Sequence, residues 1–332
     1  MFDYRGMFNL DYMVQARGLA KRFSSRAGAV EAVRGVDIDV GSGEIVGFLG
    51  PNGAGKTTTL RMLTTLLAPS AGTAIVAGHD LRREPVAVRR RIGYVPQRGS
   101  TTPQALVREE LTDHGRLHGL SRATAEERGR GLISQLDLDS TWERPCGTLS
   151  GGQRRRLDIA LGLINEPPLL FMDEPTTGLD PQSRANLWQH VRGLRDEHGV
   201  TVFLTTHYLD EADALCDRIL VIDHGEIVAV GTPTELKREV SGDRVALQLS
   251  DPGRLASADA ALERVTGVHI LRAEGDLLDF SVPDASAALP GLLAALAGAG
   301  VALAGIEVRR PTLDDVFLSL TGRELRDQPV AA

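Results

Sequence analysis

The segment Gly50-Pro51-Asn52-Gly53-Ala54-Gly55-Lys56-Thr57 constrains this chain more than any other. It meets every defined position of G-x-x-x-x-G-K-[ST], a loop whose backbone N–H groups close around a polyphosphate. The apolar run Ile45-Val46-Gly47-Phe48-Leu49 leads into it, and Thr58-Thr59-Leu60-Arg61-Met62-Leu63 continues as a helix. A chance glycine turn before a lysine would lack those flanks. The helix N-terminus adds partial positive charge. Gly50, Asn52, Gly53, Ala54, Gly55, Lys56, Thr57 and Thr58 therefore form a candidate nucleotide cradle. Lys56 is placed to reach the β- and γ-phosphates, and the Thr57 hydroxyl to ligate Mg2+.

Downstream, Leu169-Leu170-Phe171-Met172 is an apolar strand ending in Asp173 and Glu174. Asp173 is expected to support the magnesium ion. Glu174 is the natural general base for a water attacking the γ-phosphate. An acidic strand end facing solvent is common, but seldom follows a full phosphate loop.

Length and composition narrow the class. The chain has 332 residues, 42% of them hydrophobic, and a formal net charge of −7. That size allows more than one domain. The acidic balance argues against a general nucleic-acid or anionic-membrane binder. Cys146 and Cys216 lie far apart without metal-ligand spacing and read as free thiols of a reducing compartment. No apolar stretch reaches membrane-spanning length. Residues 1–13 read as an extension ahead of the fold, with Met7 and Met13 as alternative starts.

Residues 14 to about 48 alternate apolar and polar positions, as antiparallel edge strands do. Residues of about 98–165 are mostly helical in pattern. Short apolar runs at Leu169–Met172, Val200–Thr205 and Arg218–Ile222, separated by helical patterns such as Pro181–His198, predict buried parallel strands. The character changes near Glu239. From Asp243 the order is strand, helix, strand, strand, helix, strand, the split β-α-β of ferredoxin-like folds. A last helix starts at Thr312, where Thr312 and Asp315 have capping-box spacing. Leu313, Val316, Phe317 and Leu320 give it one apolar face. The predicted division is 14–238, 239–323 and a tail of 324–332.

The chain resembles the ATP-binding subunits of ABC transporters. Leu149-Ser150-Gly151-Gly152-Gln153 reproduces the family's signature motif. Gln97 in Tyr94-Val95-Pro96-Gln97 matches its Q-loop, Asp180 in Gly178-Leu179-Asp180 its D-loop, and His207 after Leu204-Thr205-Thr206 its switch histidine. Phe23 sits where the family places an aromatic against adenine, although a core phenylalanine on an edge strand explains it equally. The resemblance covers residues 14 to about 235. It implies a P-loop α/β ATPase fold of ABC type, with a mostly parallel core sheet, antiparallel edge strands, a helical subdomain and a small α+β C-terminal domain. It implies ATP and Mg2+ as ligands, with Thr57, Gln97 and Asp173 at the metal. Glu174, His207 and Gln97 would be catalytic. Ser150, Gly151, Gly152, Gln153 and Asp180 would meet nucleotide held by the second subunit of a homodimer.

Arg154-Arg155-Arg156-Leu157-Asp158 and the tail Arg309–Gly322 are similar to drug-exporting ATPases of the daunorubicin-resistance (DrrA-like) type. A solvated helix face also explains the arginine triplet. Arginines this close to a helix N-terminus oppose its dipole, which invites an acidic or phosphate partner. The expected function is the ATPase subunit of an exporter of hydrophobic small molecules, working with a separate membrane permease on the cytoplasmic face. The alternatives are a lipid, polysaccharide or ion exporter, and a soluble ABC ATPase acting on DNA or ribosomes. The third is disfavoured by the acidic balance, the single ATPase unit and the lack of zinc-spaced cysteines. The region 239–323 is expected to regulate or assemble the complex, since it lacks a phosphate loop and paired catalytic acids.

Overall fold

Two alternating patterns begin the chain and become two long strands, β1 (Tyr12–Ser25) and β2 (Gly28–Gly41). The computed structural model describes residues 12–25, 28–99, 101–240, 242–262, 265 and 267–321. Residues 1–11 of the expected extension lie outside these, and so does the expected tail. Tyr12 and Met13 already belong to β1. The chain divides into two units, the first ending at Val230 and the second beginning at Gly231.

In the first unit the order continues with β3 (Ile45–Leu49), α1 (Lys56–Leu63), β4 (Ala71–Val76), β5 (His79–Asp80), α2 (Pro85–Arg91) and β6 (Ile92–Val95). Three helices follow: α3 (Val107–Leu117), α4 (Arg122–Gln135) and α5 (Gly151–Leu163). Then come β7 (Leu169–Asp173), α6 (Pro181–His198), β8 (Thr201–Thr206), α7 (Leu209–Leu215), β9 (Arg218–Asp223) and β10 (Glu226–Gly231). The strands form two sheets. One has the order β2-β1-β4-β5, and its pairs are antiparallel. The other has the order β10-β9-β3-β8-β7-β6, with β9, β3, β8, β7 and β6 running parallel.

The parallel strands are mostly apolar because both their faces are covered. Every residue of β3, β7 and β8 is buried. Phe203 stands between Phe48 and Phe171, with ring centroids 5.6 and 5.7 Å away. In the antiparallel sheet, Val36, Ile38 and Val40 face the core while the residues between them are more open. Helix α1 touches strands of both sheets and buries Leu60, Met62 and Leu63 among them. This packing anchors the loop that precedes α1.

The parallel register also positions the site. Leu49 pairs with Thr206, and Asp173 with Thr205, so β3, β8 and β7 finish side by side. The phosphate loop, the acid pair and His207 each start where one of these strands stops. The carboxyl ends of parallel strands are where open α/β sheets bind ligands.

The second unit contains α8 (Pro233–Val240), β11 (Asp243–Leu249), α9 (Leu255–Leu262), β12 (His269–Glu274), β13 (Leu277–Val282), α10 (Ala285–Gly298), β14 (Leu303–Arg309) and α11 (Leu313–Thr321). Its sheet order is β12-β13-β11-β14, and all its pairs are antiparallel. The expected ferredoxin-like arrangement is present. Val245, Leu247, Leu278, Phe280, Leu292 and Leu296 form its core. Helix α11 packs on α8, burying Leu313, Val316 and Phe317, whereas Leu320 stays exposed. Thr312 and Asp315 cap α11 reciprocally, at 2.8 and 3.3 Å. The division falls at Val230/Gly231 rather than at the expected 238/239, because α8 belongs with α11. Proximity in sequence to the strand before it hid that partnership.

Candidate functional site

Gly55 turns the chain into α1 with φ of 108°, a conformation that glycine adopts at least cost. A side chain there would also meet the Ala32 carbonyl at 2.5 Å. Gly53 has φ of 80° but open space around it. The loop thus has one wall shut by backbone and one side free for a ligand. A cleft of about 210 Å³ lies there, lined by Asn52, Gly53, Gly55, Lys56, Thr57 and Thr58, with Gln97 and Glu174 opposite.

Lys56 is 4% exposed. Its ammonium donates to the carbonyls of Gly50 at 2.7 Å and Pro51 at 3.0 Å. It also lies 3.4 Å from Glu174 Oε1. Burial pulls its pKa below the ordinary value, against the pull of Glu174 and Asp173. The Thr57 hydroxyl donates to Asp173 Oδ1 at 3.1 Å, and the same oxygen accepts from Thr205 Oγ1 at 2.7 Å. Thr57 and Asp173 bring two hard oxygen donors together at the cleft. Mg2+ takes one or two protein oxygens and completes its shell with phosphate and water, so this pair fits it. Among the described residues, no cluster of three or more His, Cys, Asp or Glu offers an all-protein metal cage.

Glu174 is the hub of the site. Gln97 Nε2 donates to its Oε2 at 2.8 Å, and Thr177 Oγ1 does so at 3.3 Å. His207 Nδ1 is 3.2 Å from the same oxygen, without hydrogen-bond alignment. Burial opposes the charge of Glu174. The His207 and Lys56 side chains outweigh that penalty and hold its carboxyl low, at about 2. Its backbone has φ of 44°, the left-handed region that costs a non-glycine residue about 1–2 kcal/mol. Hydrogen bonds from its N–H to Thr205 O and Oγ1, at 3.1 and 3.0 Å, hold that conformation.

The other expected residues lie outside this cleft. Ser150 is the N-cap of α5: its Oγ accepts from Gln153 N at 3.2 Å, while Gln153 Oε1 accepts from Ser150 N at 3.1 Å. Asp180 caps α6 in the same way, accepting from Ser183 N at 2.8 Å and Ser183 Oγ at 2.9 Å. Those bonds lower its pKa. The two helix starts are neighbours, since a side chain on Gly152 would meet Ser183 Oγ at 3.0 Å. Ser150, Gly151 and Asp180 are exposed. Phe23 is 42% exposed, with Lys21 Nζ 5.2 Å from its ring, so it is not a core residue.

Sequence reasoning overlooked four participants. Thr205 holds both acids, as above. Glu211, fully buried, accepts from Trp188 Nε1 at 3.2 Å, and its pKa is raised by burial. The other two are Arg155 and Asp158. The arginine triplet does not form one solvated face: Arg154 is exposed, Arg156 donates to Asn186 Oδ1 at 2.6 Å, and Arg155 is buried. The unfavourable position of these arginines against the helix dipole was the one signal that could have pointed inward.

A P-loop, two acids, a glutamine and a histidine gathered at the ends of parallel strands define a nucleotide-binding cassette. Comparison with known proteins agrees. The sequence pattern of the ABC transporter family matches residues 33–177, and that of the DrrA1-3-like ATP-binding protein C-terminal domain matches residues 231–321. A daunorubicin resistance ATP-binding protein of Streptomyces coeruleorubidus is 46% identical over 97% of this chain and 99% of its own length. A Nod factor export ATP-binding protein of Ralstonia nicotianae is 41% identical over 95% of each. An ATP-binding cassette solved as a dimer, in a post-hydrolysis state bound to ADP and Pi, superposes with a TM-score of 0.61. It is 26% identical and covers 66% of this chain and 98% of its own. The chain belongs to the ABC transporter family, among the ATP-binding proteins of the daunorubicin-resistance, DrrA-like type. It is accordingly an ATP-hydrolysing subunit.

Proposed function

We propose that this ATPase drives export of a hydrophobic small molecule, as a homodimer around two Mg-ATP, through a separate membrane permease at the cytoplasmic face. The observation that carries this reading is the 46% identity to a daunorubicin resistance protein across nearly the whole chain, C-terminal unit included. No described helix is long and apolar enough to cross a membrane, which is compatible with the pathway lying in another chain.

In this reading the glycine loop and Lys56 grip the phosphates, releasing the lysine from the Gly50 and Pro51 carbonyls it now holds. Thr57 and Asp173 would hold Mg2+, with the side-chain carbonyl of Gln97 available beside them. Bound there with ATP, Mg2+ would screen charge on the β- and γ-phosphates. Glu174, kept ionised by Lys56 and His207, takes the proton of the attacking water. With Lys56 on phosphate, Glu174 Oε1 is already free of its lysine contact for that task. His207 shifts from the other oxygen to the γ-phosphate. Ser150, Gly151, Gly152 and Gln153 present the start of α5 to the nucleotide of the partner subunit.

The likeness to a Nod factor export protein supports a second reading, an exporter of a cargo other than a drug. Inverted vesicles carrying the chain and its membrane subunit separate the two. Accumulation of daunorubicin that requires ATP and disappears in Glu174→Gln is expected. Active ATP turnover without any drug accumulation would overturn the drug-export reading.

A further inference from the structure

Arg155 lies two residues beyond the signature motif, on the inward face of α5, and is 7% exposed. Its guanidinium spends its donors on three backbone carbonyls from two other segments. Nε donates to Pro175 O at 2.7 Å, Nη2 to Asp173 O at 3.1 Å, and Nη1 to Pro96 O at 2.5 Å. Asp173 and Pro175 flank Glu174, and Pro96 precedes Gln97. The fork therefore grips the chain on both sides of one member of the Gln97–Glu174 pair and directly before the other. That pair is itself joined at 2.8 Å. Asp158, one turn further along α5 and equally buried, lies 3.7 Å from Nη1 and balances the charge.

We propose that Arg155 is a positioning residue that sets Gln97 against Glu174 and ties both to the signature helix. The inference rests on the catalytic reading of Gln97 and Glu174. Arg155 touches neither substrate nor either catalytic side chain; it acts through their backbones. A buried guanidinium needs all its donors satisfied, and the fixed planar fork holds three carbonyls in one geometry. The strand end carrying Glu174 and the segment carrying Gln97 thus move with α5. If α5 shifts when Ser150 meets the nucleotide of the partner subunit, the Gln97–Glu174 geometry changes with it. Hydrolysis then becomes sensitive to whether the opposite subunit is engaged. Lysine would preserve charge at 155 but not the fork.

The test compares full-length wild type, Arg155→Lys, Arg155→Ala and Glu174→Gln. Thermal midpoint, affinity for a fluorescent ATP analogue, and kcat and KM for ATP are measured for each. Arg155→Lys is expected to melt and bind nucleotide as wild type does while kcat falls about 10- to 100-fold at unchanged KM, the scale of a reacting group displaced by about 1 Å. Millimolar guanidinium should restore turnover to Arg155→Ala without changing nucleotide affinity. Wild-type kcat in Arg155→Lys overturns the proposal. So does loss of the melting transition or of nucleotide affinity in parallel with kcat, since Arg155 would then support the fold and not the catalytic pair. Glu174→Gln distinguishes the two levels: normal turnover there removes the catalytic reading and the proposal with it, whereas an inactive Glu174→Gln beside a fully active Arg155→Lys removes the Arg155 proposal alone.

Discussion

At the scale of single residues, the site is an assembly of buried charges that restrain one another. Glu174 stays ionised because the His207 and Lys56 side chains outweigh its burial. Asp158 shows the opposite balance. Burial raises its carboxyl from 3.8 to about 6, despite Arg155 and Arg154 nearby. The folded chain therefore holds this proton more tightly than the unfolded chain does. Its stabilising contribution is complete below the unfolded value and is lost as pH rises through the folded one. Asparagine resembles the protonated form and has no such dependence. Asp158→Asn should gain about 1 kcal/mol on wild type between about pH 5 and about pH 8. Denaturant unfolding of both chains at the two pH values measures the difference, and a constant or shrinking gap would contradict the burial argument. A charge run such as Arg154–Arg156 gives no sign, as letters, of which member turns inward. Only the packing of α5 against the ends of β6 and β7 decides it.

At the scale of elements, each functional side chain stands at a strand end or a helix start. Ser150 and Asp180 are both N-caps, so the signature and the D-loop are exposed helix starts set side by side. Neither lines the cleft at Lys56 in its own chain. Asn52→Cys combined with Ser150→Cys in one chain should give an ATP-dependent disulfide between two chains, seen as a dimer on a non-reducing gel. Cys146 and Cys216 are buried and free, which keeps the background low. A disulfide confined within single chains would refute the head-to-tail arrangement. Losing the Ser150 cap should cost about 0.5–2 kcal/mol, too little to confuse the result with unfolding. The elements most legible in the sequence were those with a strong period and a marked end. Pro181–His198 was read to the residue, since Asp180, Pro181 and Gly199 punctuate both ends. The acid-ended strand at Leu169–Asp173 was read for the same reason. β5, β6 and β10 were missed because they are short or lie on sheet edges, and β4 because AGTAIV sustains neither alternation nor an apolar run.

For the whole molecule, the two units carry different work. The first holds every expected nucleotide contact; the second holds none of them and has its own core. A cut at the expected 238/239 boundary would fall inside α8 and strip it of the α11 it packs on, so truncation belongs at Val230. The chain ending there should melt cooperatively and bind ATP within about twofold of wild type, because all cradle residues remain. It should fail to copurify with the membrane subunit. Full copurification would remove the assembly role from the C-terminal unit, and loss of ATP binding would show that the ATPase unit depends on it. The ferredoxin-like order of this unit was legible from its alternating strands and turn signals. Its true beginning was not, because the partnership of α8 with α11 joins residues far apart in sequence.

Among the described residues, the order β12-β13-β11-β14 leaves that unit with two strands that each pair on one side only. An unpaired strand edge is a template for adding another strand, and in a cell it threatens aggregation. Both margins are spotted with charge: Arg272 and Glu274 on β12, Glu307 and Arg309 on β14, all of them exposed. A second chain approaching either margin would have to strip water from those groups before forming a single backbone hydrogen bond. The same residues that contribute nothing to the core thus raise the cost of edge-to-edge association between copies of this chain.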